Sequence, residues 1–118
     1  MILSCSTLSL LSSNDASSSY INASPFPHYV IDNFFEESLA ASIASEFPSY
    51  DSQFLDAYSN QIEEKKLVNH WNRFGPSTYQ AFTYLCSSAF TLALTQFIKS
   101  ENPLSADYGL NGGRFAHA

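Results

Sequence analysis

Pro25-Phe26-Pro27-His28-Tyr29-Val30-Ile31-Asp32-Asn33-Phe34-Phe35, followed by Glu36-Glu37-Ser38-Leu39-Ala40-Ala41-Ser42-Ile43-Ala44-Ser45-Glu46-Phe47-Pro48, is the stretch on which the fold turns. Pro25 and Pro27 hold the entry extended and delay any helix. Tyr29-Val30-Ile31 therefore predicts a short strand. Asp32 or Asn33 can accept the orphan amides of a following helix, and Glu36-Glu37 suit its positive end. Leu39, Ile43 and Phe47 then recur every four residues beside Ala40 and Ala44, which predicts one buried helical stripe. Pro48 stops it.

Upstream, residues 1–24 form a composition island. Met1 to Leu11 is mildly apolar but carries no Lys or Arg, which argues against a secretory signal. It is also too short and too broken by serine to cross a bilayer. Ser12 to Ser19 reads as a polar, low-complexity linker, so residues 1–24 are expected to be a flexible leader, with a poorly formed targeting segment as the lesser reading. The folded domain is expected over residues 25–118.

Downstream, Tyr50, Phe54, Tyr58 and Trp71 sit irregularly among polar residues, as in a loop pinned by aromatics. Glu63-Glu64-Lys65-Lys66 reads as a solvated face or a single helical turn. Gly75-Pro76 opens a helical region, with proline placed for a first turn. Phe82, Leu85, Cys86, Ala89, Phe90, Ala93, Leu94 and Phe97 keep helical rhythm, and Ser87-Ser88 can cap a fresh start, so two helices, or one with a break there, are expected. Pro103 closes the region. The turn Asn111-Gly112-Gly113 leads into Arg114-Phe115-Ala116-His117, a strand expected to continue past Ala118.

Composition narrows the functions open to the chain. Its 118 residues allow one domain at most, and 15% aromatic residues favour a packed core over disorder. A net charge of −6, with five scattered Lys and Arg, excludes a phosphate-tracking surface, so no nucleic-acid partner is expected. No membrane partner is expected either. Cys5 and Cys86 make no disulfide framework, and cytoplasmic residence follows as the expectation.

The titratable residues give no constellation. His28, His70 and His117 share no ligand spacing. Gly112-Gly113 lacks the rest of a phosphate-loop fingerprint and favours a turn. Cys86 has no base near it in sequence, and a core thiol is expected. Lys65 and Lys66 pair most simply with Glu63 and Glu64. Asp32 reads as a cap and Asp107 as a turn residue. No catalytic, cofactor-binding or metal-ligating residue is assigned.

Three blocks carry a resemblance: Pro25 to Phe34; Glu64-Lys65-Lys66 with Asn69-His70-Trp71-Asn72-Arg73-Phe74-Gly75-Pro76-Ser77-Thr78-Tyr79; and Asp107 to Gly113. In order and spacing they resemble the N-terminal part of Fe(II)/2-oxoglutarate-dependent oxygenases of the prolyl-4-hydroxylase-like group, over roughly residues 25–118. The resemblance implies an α+β fold: a helical buttress and the first strands of a double-stranded β-helix, or jelly roll, cut before the metal-binding strands. It implies Fe(II) and 2-oxoglutarate as cofactors, a missing C-terminal barrel portion as partner, and hydroxylation of an unknown substrate. The family's His-x-Asp pair, distant His and cosubstrate Arg would lie beyond Ala118. No His-x-Asp occurs here, so the chain is expected to be inactive alone. Gly112-Gly113-Arg114-Phe115-Ala116-His117 also departs from the family's usual third glycine, leaving the register of that strand open. The alternative is a non-catalytic helical interaction module, or truncated remnant, exposing a stripe on Phe82, Phe90 and Phe97.

Overall fold

A computed structural model describes residues 1–49, 56–59, 64–68, 70–108 and 115–117. Five helices dominate: α1 (Cys5–Leu11), α2 (Asn14–Ile21), α3 (Glu37–Ser45), α4 (Pro76–Leu85) and α5 (Ser88–Ile98). A 3-10 turn, Trp71–Arg73, precedes α4. Short segments pair antiparallel in the order β1 (Asp56–Ser59), β2 (Glu64–Val68) and β3 (Phe115–His117). Asp56 faces Leu67, and Val68 faces Phe115.

The expected leader is two helices, and its serines make them. The Ser4 hydroxyl accepts the Thr7 N–H at 3.2 Å, and that of Ser13 accepts the Ala16 N–H at 3.2 Å. Each satisfies an orphan amide at a helix start. Leu3 just before α1, Leu11 at its end and Ala16 of α2 join Phe90 and Phe97 in the main core cluster. Two buried hydroxyls are satisfied across the seam, Thr7 Oγ1 donating to the Phe34 carbonyl at 2.9 Å and Ser17 Oγ to that of Phe97.

The expected fold class is overturned by these elements. The helical body contains no β-strand among its described residues, and none of the first strands of a jelly roll is formed by residues 25–35. Tyr29-Val30-Ile31 forms no strand, with Val30 exposed and Tyr29 turned against Phe97 at 5.5 Å between ring centroids. A strand needs a ladder partner, and the helices of residues 1–21 occupy that neighbourhood instead. Among the described residues the segment's only pairing is an isolated bridge further on, between Leu3 and Phe35. The three short paired segments above make a small sheet of their own. Glu64-Lys65-Lys66, read as a solvated face or a single helical turn, lies on β2.

Helix α3 starts without the expected cap. Glu36 occupies the capping position with no side-chain bond, while Asn33 takes a left-handed backbone (φ 54°) in the turn before Phe34. Leu39 is buried and Ile43 half-buried, but Phe47 is exposed, so the stripe holds for its first two members. The α4–α5 break falls where expected: Pro76 is the first residue of α4, and the Ser87 hydroxyl accepts the Phe90 N–H at 3.3 Å to start α5. Phe90 and Phe97 are buried, so the stripe expected to be exposed with Phe82 is largely covered.

Helix α5 ends in a Schellman turn, with Ser100 N–H donating to the Thr95 carbonyl at 3.1 Å and Lys99 N–H to that of Gln96 at 3.3 Å. Lys99 itself is left-handed (φ 53°), a conformation that crowds any Cβ. Lys99→Gly is therefore expected to stabilise the protein by about 1 kcal/mol, read as a higher urea midpoint at unchanged slope.

Candidate functional site

The most elaborate polar cluster ties the end of α3 to the start of α4. Gly75 caps α4 without a side chain to offer, so Glu46, 31 positions upstream of Ser77, fills that role. Its Oε1 accepts the Ser77 N–H at 2.8 Å; its Oε2 accepts the Thr78 N–H at 2.7 Å and the Thr78 hydroxyl at 2.6 Å. Thr78 is fully buried. Burial pushes the Glu46 carboxyl up, but the bonds from Thr78 and Ser77 outweigh it and hold its pKa below the ordinary carboxylate value. Gly75 has an ordinary backbone and matters for space: a Cβ there would lie 2.5 Å from Glu46 Cδ.

A second cluster links the 3-10 turn before α4 to Cys86 at its end. The Trp71 indole N–H donates to the Tyr108 carbonyl at 2.8 Å, and the Tyr108 hydroxyl donates to the Cys86 carbonyl at 2.8 Å. Trp71 also sits edge-on to Phe74 and Tyr79, at 5.9 and 5.5 Å. Residues 104–108 are thus fastened beside α4 and α5, aided by Leu104 N–H donating to Thr95 Oγ1 at 3.0 Å.

Several clefts accompany these contacts. One of about 600 Å³ lies between Met1, Cys5, Asn33–Glu37 and Ala40. Another, about 300 Å³ and mainly apolar, runs between α4, α5 and the segment after α5, with Phe82, Cys86, Leu94 and Leu104 in its wall.

The residues weighed in the sequence are dispersed. His28 lies in the exposed entry segment, its Nδ1 2.8 Å from the Phe26 carbonyl oxygen. His70 precedes the 3-10 turn, and His117 lies on β3 opposite Lys66. Cys86 is half-buried, closing α4, and Cys5 is exposed. Asp32 and Asp107 are exposed, and Gly112-Gly113 falls outside the described residues. Among the described residues no three His, Cys, Asp or Glu side chains are placed to share a metal ion. No single helix there is long and apolar enough to cross a membrane; α4 and α5 reach that length only together, bent by 51°.

Sequence reasoning missed Glu46. Its signal was indirect: a helix opening on Gly75-Pro76 has no side chain of its own to cap the amides of Ser77 and Thr78, and so needs an acceptor from elsewhere.

No family model, no curated protein and no solved structure matches this chain.

Proposed function

We propose that this chain is the N-terminal helical portion of a non-haem Fe(II)/2-oxoglutarate-dependent oxygenase of the prolyl-4-hydroxylase-like group, serving as scaffold. One observation carries the reading: the blocks that bear the resemblance are joined to one another. Glu46, at the end of the helix that the first block leads into, caps Ser77 and Thr78 of the second. Trp71 of the second binds the Tyr108 carbonyl of the third. Residues 66–68 of β2 pair with 115–117 of β3, directly after the third block.

No His-x-Asp occurs in the sequence, and among the described residues no three His, Cys, Asp or Glu side chains are placed to hold an iron. No catalytic step is therefore assigned to them. On this reading the hydroxylation chemistry, coupled to decarboxylation of 2-oxoglutarate, belongs to a following portion with its own ligands. Cytoplasmic residence goes with it.

Reading the coding sequence past the codon for Ala118 tests this. An in-frame strand carrying His-x-Asp, with a later His and Arg, is expected. An immediate stop would overturn the reading in favour of a non-catalytic interaction module, which the apolar cleft beside Phe82 and Leu94 favours. In parallel, the purified 118-residue protein with Fe(II) and 2-oxoglutarate is expected to form no succinate above the protein-free rate. Turnover would refute the scaffold role.

A further inference from the structure

The helical pair of residues 1–21 is fastened to the rest of the molecule like a bound ligand. Its helices are 7 and 8 residues long, too short to persist alone in water, so docking is what holds them. The surface it docks against is aromatic: Phe34 and Phe35 on one side, Phe90 and Phe97 of α5 on the other. Its own buried face is small and partly hydroxylic, with Thr7 and Ser17 among Leu3, Leu11 and Ala16. Water can solvate those hydroxyls on release, whereas the aromatic groove left behind loses its cover.

The connection is built for reach. Residues 22–28 are exposed apart from the half-buried Ala23, and their hydrogen bonds are local. Asn22 N–H donates to the Ser18 carbonyl, Ala23 N–H to that of Tyr20, and His28 Nδ1 lies beside the Phe26 carbonyl. Seven extended residues span roughly 23–25 Å, enough to place the helical pair on a neighbouring molecule. Clefts flank the docked pair on both sides, one near Cys5 and Glu37 and one near Ser13 and Gln96, so the groove does not fully enclose it.

We propose that residues 1–21 exchange between two copies of this chain, each helical pair seating in the aromatic groove of the other. Every contact of the docked state is reproduced in such a dimer, and only the linker changes course.

The bridge between Leu3 and Phe35 supplies the test. Ser4 N–H donates to the Phe34 carbonyl at 3.1 Å and Glu36 N–H to that of Ile2 at 3.0 Å. Leu3 and Phe35 are thus a non-hydrogen-bonded antiparallel pair, whose spacing suits a disulfide. Two full-length variants, Leu3→Cys and Phe35→Cys, each also carrying Cys5→Ser and Cys86→Ser, are mixed, refolded together at high concentration and oxidised. Peptide mass spectrometry is expected to find 3-to-35 links at about tenfold excess over 3-to-3 and 35-to-35 links. Light scattering of the unmodified chain after the same treatment is expected to show a species at twice 13.1 kDa. A chain carrying both substitutions serves as control and is expected to close on itself in dilute solution. If it does so while the mixed variants give no excess of 3-to-35 links, exchange is refuted. If it does not, the docking is absent and the proposal falls with it.

Discussion

Phe97→Ala is expected to destabilise the protein by about 3–5 kcal/mol, as the loss of a large buried aromatic side chain does. The Phe97 ring is 5% exposed, with Tyr20 and Tyr29 at 5.8 and 5.5 Å between centroids. Three separate stretches of chain therefore meet on one side chain: α2, the segment around Tyr29 before α3, and α5. Removing it leaves a void that the short helices cannot collapse into without breaking the bond from Ser17 to the residue 97 carbonyl. Against a typical total stability of 5–15 kcal/mol, that loss lowers Tm by roughly 10 °C or more. Phe26→Ala, at a side chain 63% exposed, is the matched control and should change stability by less than about 0.5 kcal/mol. Urea unfolding of both measures the contrast. Equal stability of the two would refute the docking of residues 1–21 on α5.

Glu46→Ala comes second, at about 2–3 kcal/mol. It strips the acceptor from two amides at a helix start and from the hydroxyl of Thr78, and bonds to a charged group are the stronger kind. Gly75→Ala reaches the same end by another route. Its new methyl would lie 2.5 Å from Glu46 Cδ, and that carboxylate, pinned by three bonds, must be displaced. The two substitutions are therefore expected to be strongly non-additive: once the Glu46 side chain is gone, Gly75→Ala no longer meets the three atoms nearest to its methyl and costs less. Full additivity in a double-mutant cycle would show that Glu46 is not the cap. The acid limb of stability gives an independent reading. Because the folded carboxyl titrates lower than the unfolded one, its contribution is fully present above the ordinary carboxylate range and is lost as pH falls through the folded pKa. Glu46→Ala should flatten that limb.

The parts of the fold legible in the sequence are those decided locally. Pro76 opening α4 and Ser87 capping α5 each act within a few residues, and both elements lie where their signals place them. Residues 1–24 fail for the opposite reason. A serine count reads as a linker, yet Ser4 and Ser13 are caps and Ser17 is a buried donor, roles set by position rather than abundance. Tyr29-Val30-Ile31 has the proline flanks and β-branched centre of a strand, but pairing needs a second segment that no local pattern supplies. Asn33 has the side chain of a cap and instead bends the chain through a left-handed turn, a conformation its type tolerates. Glu46 is tied to residues 31 and 32 positions away, beyond any periodicity.

Trp71 is the chain's single tryptophan, and its indole spans the junction between the 3-10 turn and the Tyr108 segment. Its emission is therefore a built-in optical gauge of one corner of the molecule. Loosening at residues 104–108 frees the indole N–H to water and shifts the fluorescence to the red, while release of residues 1–21 from α5 leaves it silent.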